Sequence, residues 1–227
     1  MIKECFNNRD FRVLWGAGGM TGIARAMEFL ALSLYALQEL GLPYLVTIIF
    51  AARMLPMSLL GIIIGTISER ISPLLLIKII YSLSNIFTAT SVILVITNNF
   101  NVYFAFTLAF INGITWVVDL AVRRRVLAEN IKKNLLSSSL AMETLSNNAT
   151  RLIGPLCAGS LYAFVGLSGI FCLQLLMYIF ALGLIFRFKD NTNNKNFFNS
   201  SNKIVSNIKE HLSLIHISEP TRPSSLS

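Results

Sequence analysis

Charge is the first thing this chain lacks. Asp, Glu, Lys and Arg make up only 13% of its 227 residues, against 54% apolar residues, and the mean hydropathy is +0.65. A soluble domain carries about a quarter charged residues, so this composition cannot cover a water-facing surface. Histidine is almost missing: His211 and His216 both lie near the C-terminal end, which excludes a histidine-ligated zinc peptidase within the apolar part. The three cysteines, Cys5, Cys157 and Cys172, are an odd number without metal-ligand spacing. They read as small packing residues rather than as a redox or metal centre. No Gly-x-x-x-x-Gly-Lys-Ser/Thr loop is present, so the chain holds no nucleotide-binding motif of that kind. No nucleophile–base pair suggests an intramembrane enzyme. The reading is a non-enzyme with no cofactor and no metal.

What the chain has is long uncharged runs. A span of about 20 mostly apolar residues crosses roughly 30 Å of hydrocarbon. Six such spans can be drawn, at 11–38, 44–66, 73–96, 102–122, 136–164 and 168–188. Unpaired backbone groups are not tolerated in lipid, so these runs are helices. The breaks fall at Gly41-Leu42-Pro43, Ile71-Ser72-Pro73, Thr97-Asn98-Asn99 and Val165-Gly166. The first span is too long for a signal-peptide core, and the polar residues 1–10 read as a short cytoplasmic N-terminus.

The formal net charge is +8, and its placement points to the membrane rather than to nucleic acid. Lys3, Arg9 and Arg12 precede or open the first span. Arg70 follows the second, Arg123, Arg124, Arg125, Lys132 and Lys133 follow the fourth, and Arg187 and Lys189 follow the sixth. The alternate gaps contain no Lys or Arg. The positive-inside rule therefore places both ends of the chain in the cytoplasm. Residues 189–211 turn polar and Asn-rich, as a cytoplasmic linker would. From Leu212 the chain reads as a translated sequencing-library adaptor, so 212–227 are set aside from fold reasoning. The expectation is a six-helix unit, 11–188, whose gene continues beyond this sequence.

Charges inside spans are expensive and tend to face a protein interior or a water-filled cavity. Arg25 and Glu28 lie one turn apart on the face of the first span that carries Gly18 and Gly22. Asn112, Thr115 and Asp119 form a stripe on the fourth that continues to Arg123. Thr144, Asn148, Arg151 and Pro155 form another on the fifth, and Arg53 stands one turn before Pro56 on the second. Arg25, Glu28, Asn112, Asp119 and Arg151 are therefore candidates for a substrate and proton cavity. Simpler readings stand beside this one: Arg25 with Glu28, and Asp119 with Arg123, are each spaced as a self-neutralising pair. Glu143 and Lys78 lie near span ends, where they can snorkel to the interface. Gly61 with Gly65, and Gly154 with Gly159, mark close helix contacts.

The segment Gly65-Thr-Ile-Ser-Glu69-Arg70-Ile-Ser-Pro-Leu resembles the loop pattern of the major facilitator superfamily, with Ser72, Pro73 and Leu74 where Gly and two basic residues are usual. Phe11-Arg12-x-Leu-Trp15 and Ala51-Ala52-Arg53-Met-Leu-Pro56 are further likenesses, as is Arg125-Val-Leu-Ala-Glu-Asn-Ile. Arg151-Leu-Ile-Gly154-Pro155-Leu-Cys-Ala-Gly159 resembles the Gly-Pro-x-x-Gly-Gly motif of antiporters. The resemblance covers about residues 9–210 and is greatest to the branch of siderophore (enterobactin-type) exporters and macrolide-efflux proteins. It implies the N-terminal half of a twelve-span secondary transporter, built as two inverted three-helix repeats. Gly65, Glu69 and Arg70 would form its cytoplasmic gate, and Gly154, Pro155 and Gly159 its helix-packing motif. The implied partners are the lipid bilayer, a small amphipathic substrate (drug, macrolide or siderophore), protons and a covalent second half; the implied place is a bacterial inner membrane. The alternatives are the six-span membrane domain of an ATP-driven exporter, or a fragment without independent activity.

Overall fold

The computed structural model describes residues 6–7, 9–130 and 133–187. The chain divides into two units, Met1–Asp190 and Asn191–Ser227, and every described residue lies in the first. The linker and adaptor-like stretches fall outside the described residues.

Among the described residues all regular structure is helical. Helix α1 spans Arg9–Leu34 and continues into a wider π-helical turn, Tyr35–Glu39; α2 spans Pro43–Arg70, α3 Pro73–Ile96 and α4 Val102–Asn130. The next helical stretch, Lys133–Phe186, is interrupted at Gly166, where φ is 73° and ψ is −160°. That backbone is open to glycine and closed to residues with a Cβ, so the stretch is two helices, α5 (133–165) and α6 (167–186). The four breaks read from the sequence, at 41–43, 71–73, 97–99 and 165–166, are all interruptions of the helices. Gly41 takes positive φ, Pro43 and Pro73 stand in the first turns of α2 and α3, where a missing N–H costs nothing, and Asn98 adopts the left-handed conformation that Asn tolerates. Helices α2 and α4 run on beyond the spans drawn from hydropathy, to Arg70 and Asn130. Their last turns carry charged residues that a hydropathy window rejects and a helix accepts.

Packing shows that the chain reverses at each break. One buried cluster joins Phe11 and Leu14 of α1 to Leu74 and Ile77 of α3, Val122 and Val126 of α4, and Ile185 of α6. The other joins Met27 and Tyr35 to Leu45, Ala105, Ala158, Leu167 and Phe171. The first lies at the end that bears the basic residues and the second at the uncharged end, so successive helices alternate in direction. Helix α1 packs chiefly on α5 and α6, and α2 on α4. The outer faces carry large apolar side chains such as Ile93, Leu152, Leu156 and Phe164, which suit hydrocarbon and would be unfavourable in water. Among the described residues four helical stretches are long and apolar enough to cross a membrane, with Pro43–Leu59 a shorter fifth. The longest, Leu135–Phe186, has 52 residues, about twice what one crossing needs, and holds two crossings because it folds back at Gly166.

Two glycines meet the backbone of a neighbouring helix so closely that no side chain fits. A methyl group at Gly154 would lie 2.4 Å from Ala26 Cβ, and one at Gly113 would lie 2.2 Å from the Arg53 carbonyl oxygen and 3.1 Å from Pro56 Cγ. Gly113→Ala should therefore force α2 and α4 apart and destabilise the protein by about 1–3 kcal/mol. Gly183→Ala, which meets open space, should be neutral or slightly stabilising. Thermal unfolding of the two variants in detergent checks the difference.

Candidate functional site

Asp119 is the centre of the buried polar region. It lies on the inward stripe of α4 with Asn112 and Thr115, all three buried, because positions three, four and seven apart share one helix face. Arg25 Nη2 of α1 donates to Asp119 Oδ2 at 2.6 Å. The Tyr81 hydroxyl of α3 donates to Oδ1 at 3.0 Å. Arg123, one turn along α4, brings its Nε to within 3.3 Å of Oδ2. Arg123 also reaches across to α5, with Nη2 3.5 Å from Glu143 Oε1. Its guanidinium lies directly on Gly18, where a methyl group would sit 1.5 Å from Nη1; the glycine on that face of α1 makes space for the ion pair. A chain of charges, Arg25–Asp119–Arg123–Glu143, thus ties α1, α4 and α5 together, with α3 joined through Tyr81.

Glu28 has a different setting. It is buried, and its Oε2 accepts a hydrogen bond from Gln174 Nε2 of α6 at 2.6 Å. Arg53, Asn112 and Arg25 are its other polar neighbours. Arg25 is nevertheless committed to Asp119, and no Arg25–Glu28 ion pair forms. The self-neutralising pair that their spacing allows is therefore replaced by a pair between helices. Asp119 with Arg123, the other local pairing, does form. Glu143, expected to snorkel to the interface, is 6% exposed: Arg123 holds it inward.

Arg53 and Arg151 complete the region. The Arg53 guanidinium lies over Phe29 at 5.5 Å and over Trp116 at 5.6 Å from the ring centroids. Arg151 also lies over Trp116, at 5.3 Å from the ring centroid. Arg151 is exposed on α5, as are Thr144 and Asn148 of its stripe. So the expected candidates fall in two places: Arg25, Glu28, Asn112 and Asp119 meet inside the bundle, and Arg151 is exposed on α5. In the motif Gly154-Pro155-x-x-x-Gly159, Gly154 makes a backbone-close contact with α1, whereas Gly159 has only an ordinary contact, 3.9 Å from Leu30 Cδ2. Gly65, Glu69 and Arg70 lie in the last turns of α2, and their side chains are outside the described residues.

Sequence reading did not single out Tyr81, Trp116 or Gln174 as parts of the site. Gln174 carried a usable signal, as a lone amide in an apolar span that needs a partner in the bundle. Tyr81 and Trp116 carried none, because an aromatic in a span is ordinarily a packing residue.

The profile of one family, described as transmembrane secretion effector, matches residues 4–225. The chain belongs to the transmembrane secretion effector family. This is a major facilitator family of transporters rather than enzymes, so the bundle is an integral membrane transport protein whose partners are the lipid bilayer and a small-molecule substrate. The match to this family includes 212–225, the stretch set aside as adaptor-like. No curated protein matches the chain.

Proposed function

We propose that the protein is a secondary active exporter of a small amphipathic molecule, driven by protons, in a bacterial inner membrane with both termini cytoplasmic. In this reading the six helices form one half of the transporter, and a second six-helix half completes the pathway. The observation that carries the proposal is the unequal setting of the two inner carboxylates. Asp119 is engaged by Arg25, Arg123 and Tyr81, and a proton on it would strand two buried guanidinium groups. Glu28 is held by the neutral Gln174 amide, so taking up a proton breaks no ion pair. Glu28 is thus the group suited to carry a proton across the cycle, and Asp119 the group that holds the helices while it does so. Arg151 lines the cavity, Asn112 supports Glu28, and Glu69 with Arg70 close the cytoplasmic side. Gly154, Pro155 and Gly159 pack the fifth helix as in antiporters. The positive-inside distribution of Lys and Arg supports the orientation.

Glu28→Gln tests this. Proteoliposomes of the transporter with both halves, under an imposed pH gradient, should show substrate-dependent proton flux for the wild type and at least about a tenfold loss for the variant, of the order general acid–base steps contribute. The variant should insert and unfold thermally like the wild type. Undiminished proton-driven transport by Glu28→Gln would overturn the assignment.

A further inference from the structure

The ion pairs of the bundle leave two arginines over. Arg25, Arg53, Arg123 and Arg151 face Glu28, Asp119 and Glu143 in this region, four cations against three anions. Arg25 and Arg123 take Asp119 and Glu143. Neither Arg53 nor Arg151 has a carboxylate within ion-pairing distance among the described residues. Arg53 donates only to the Arg25 carbonyl oxygen, at 3.3 Å, and its buried Nε has no acceptor. Guanidinium groups at membrane depth are costly and are normally paired. Here two of them share one indole, at 5.6 and 5.3 Å from its centroid. Stacking on the ring recovers about 0.5–2 kcal/mol per cation, but it leaves like charges on one ring and most of their N–H donors unused.

We infer that Arg53, Trp116 and Arg151, with Phe29, form the recognition surface for a planar aromatic anion such as an aromatic carboxylate. The inference rests on the export reading and gives its substrate a chemical class. A carboxylate accepts paired N–H bonds from the guanidinium fork, which supplies the close ion pair that both arginines lack. As the guanidinium groups turn to the anion, the ligand's ring can take their place on Phe29 and Trp116. Arg151, being exposed, meets the anion first, and the half-buried Arg53 holds it deeper. Glu28 lies beside Arg53, so the ligand's anion and the Glu28 carboxylate compete for the same guanidinium.

The chain contains two tryptophans, Trp15 and Trp116, so Trp15→Phe leaves Trp116 as the sole fluorescent reporter. The full chain in lipid nanodiscs is titrated with three quenchers of equal size: anionic 4-nitrobenzoate, neutral 4-nitrobenzyl alcohol and cationic 4-nitrobenzylamine. The expected result is saturable quenching by the anion, with affinity about tenfold above that of the other two, as a charged hydrogen bond provides. Arg151→Gln should remove that preference and leave the weak binding of the alcohol unchanged. Arg53→Lys, which retains the charge and loses the fork, should weaken the anion partially. If Trp15→Phe misfolds, the unsubstituted chain gives the same titration over a constant Trp15 background. Equal affinity for the three quenchers, or an undiminished preference in Arg151→Gln, would overturn the inference. Proton-driven export with charge-blind binding defeats this surface alone, whereas selective anion binding without proton-driven export defeats the export reading and leaves the anion site in place.

Discussion

Asp119→Ala is expected to destabilise the bundle by about 3–5 kcal/mol, the range for removing one partner of a buried ion pair. Asp119 is fully buried and takes Arg25, Arg123 and Tyr81 from three helices. Without it, two guanidiniums remain in the interior with Glu143 as the sole acid still paired to either, at 3.5 Å from Arg123. Neither arginine can escape: Arg123 lies on Gly18 and Arg25 is 5% exposed. Repulsion between the two should open the packing of α1 against α4 first. Asp119→Asn keeps an acceptor and the volume and should lose less. Thermal unfolding in detergent ranks the three proteins. A melting temperature of Asp119→Ala equal to that of the wild type would mean that the charge chain contributes nothing to stability.

Arg151→Ala should separate folding from transport. The side chain is exposed and stacks on Trp116, so its loss removes one cation–π contact of about 0.5–1 kcal/mol at an exposed site and leaves the charge chain intact. Membrane insertion and melting should be close to wild type. Efflux from cells lacking other exporters, scored on a panel of cationic, neutral and anionic amphipathic compounds, should fall at least about tenfold for the exported members. Unchanged efflux would remove Arg151 from the cavity.

Much of the fold was legible because its signals are local. A run of uncharged residues must bury its backbone groups in a helix wherever it sits in the chain. Gly41, Pro43, Pro73, Asn98 and Gly166 interrupt helices by their own backbone chemistry. The alternation of basic gaps needed no knowledge of contacts. Helix ends were less legible, since Arg70 and Asn130 close helices that continue beyond the hydrocarbon-compatible stretch.

The site was legible in its members and not in its pairings. Arg25 has an acid one turn away in Glu28, and Asp119 has a base one turn away in Arg123, so local spacing offers two self-neutralising pairs of equal merit. The structure keeps one and breaks the other: α1 and α4 approach closely enough for Arg25 to reach Asp119 at 2.6 Å, and Gln174 of α6 takes over Glu28. A side chain within one helix can be placed from its period alone. A partner on another helix depends on which backbones come within reach, here through Gly18, Gly113 and Gly154.

The sequence by itself therefore determined that the chain is a membrane bundle of alternating helices, because hydropathy and turn chemistry act over a few residues. Only the tertiary structure decided which carboxylate is locked in ion pairs, which is held by an amide, and which two arginines share Trp116 without a close ion pair. Those outcomes depend on distances between helices far apart in the chain, and Coulomb and hydrogen-bond energies are decided by those distances.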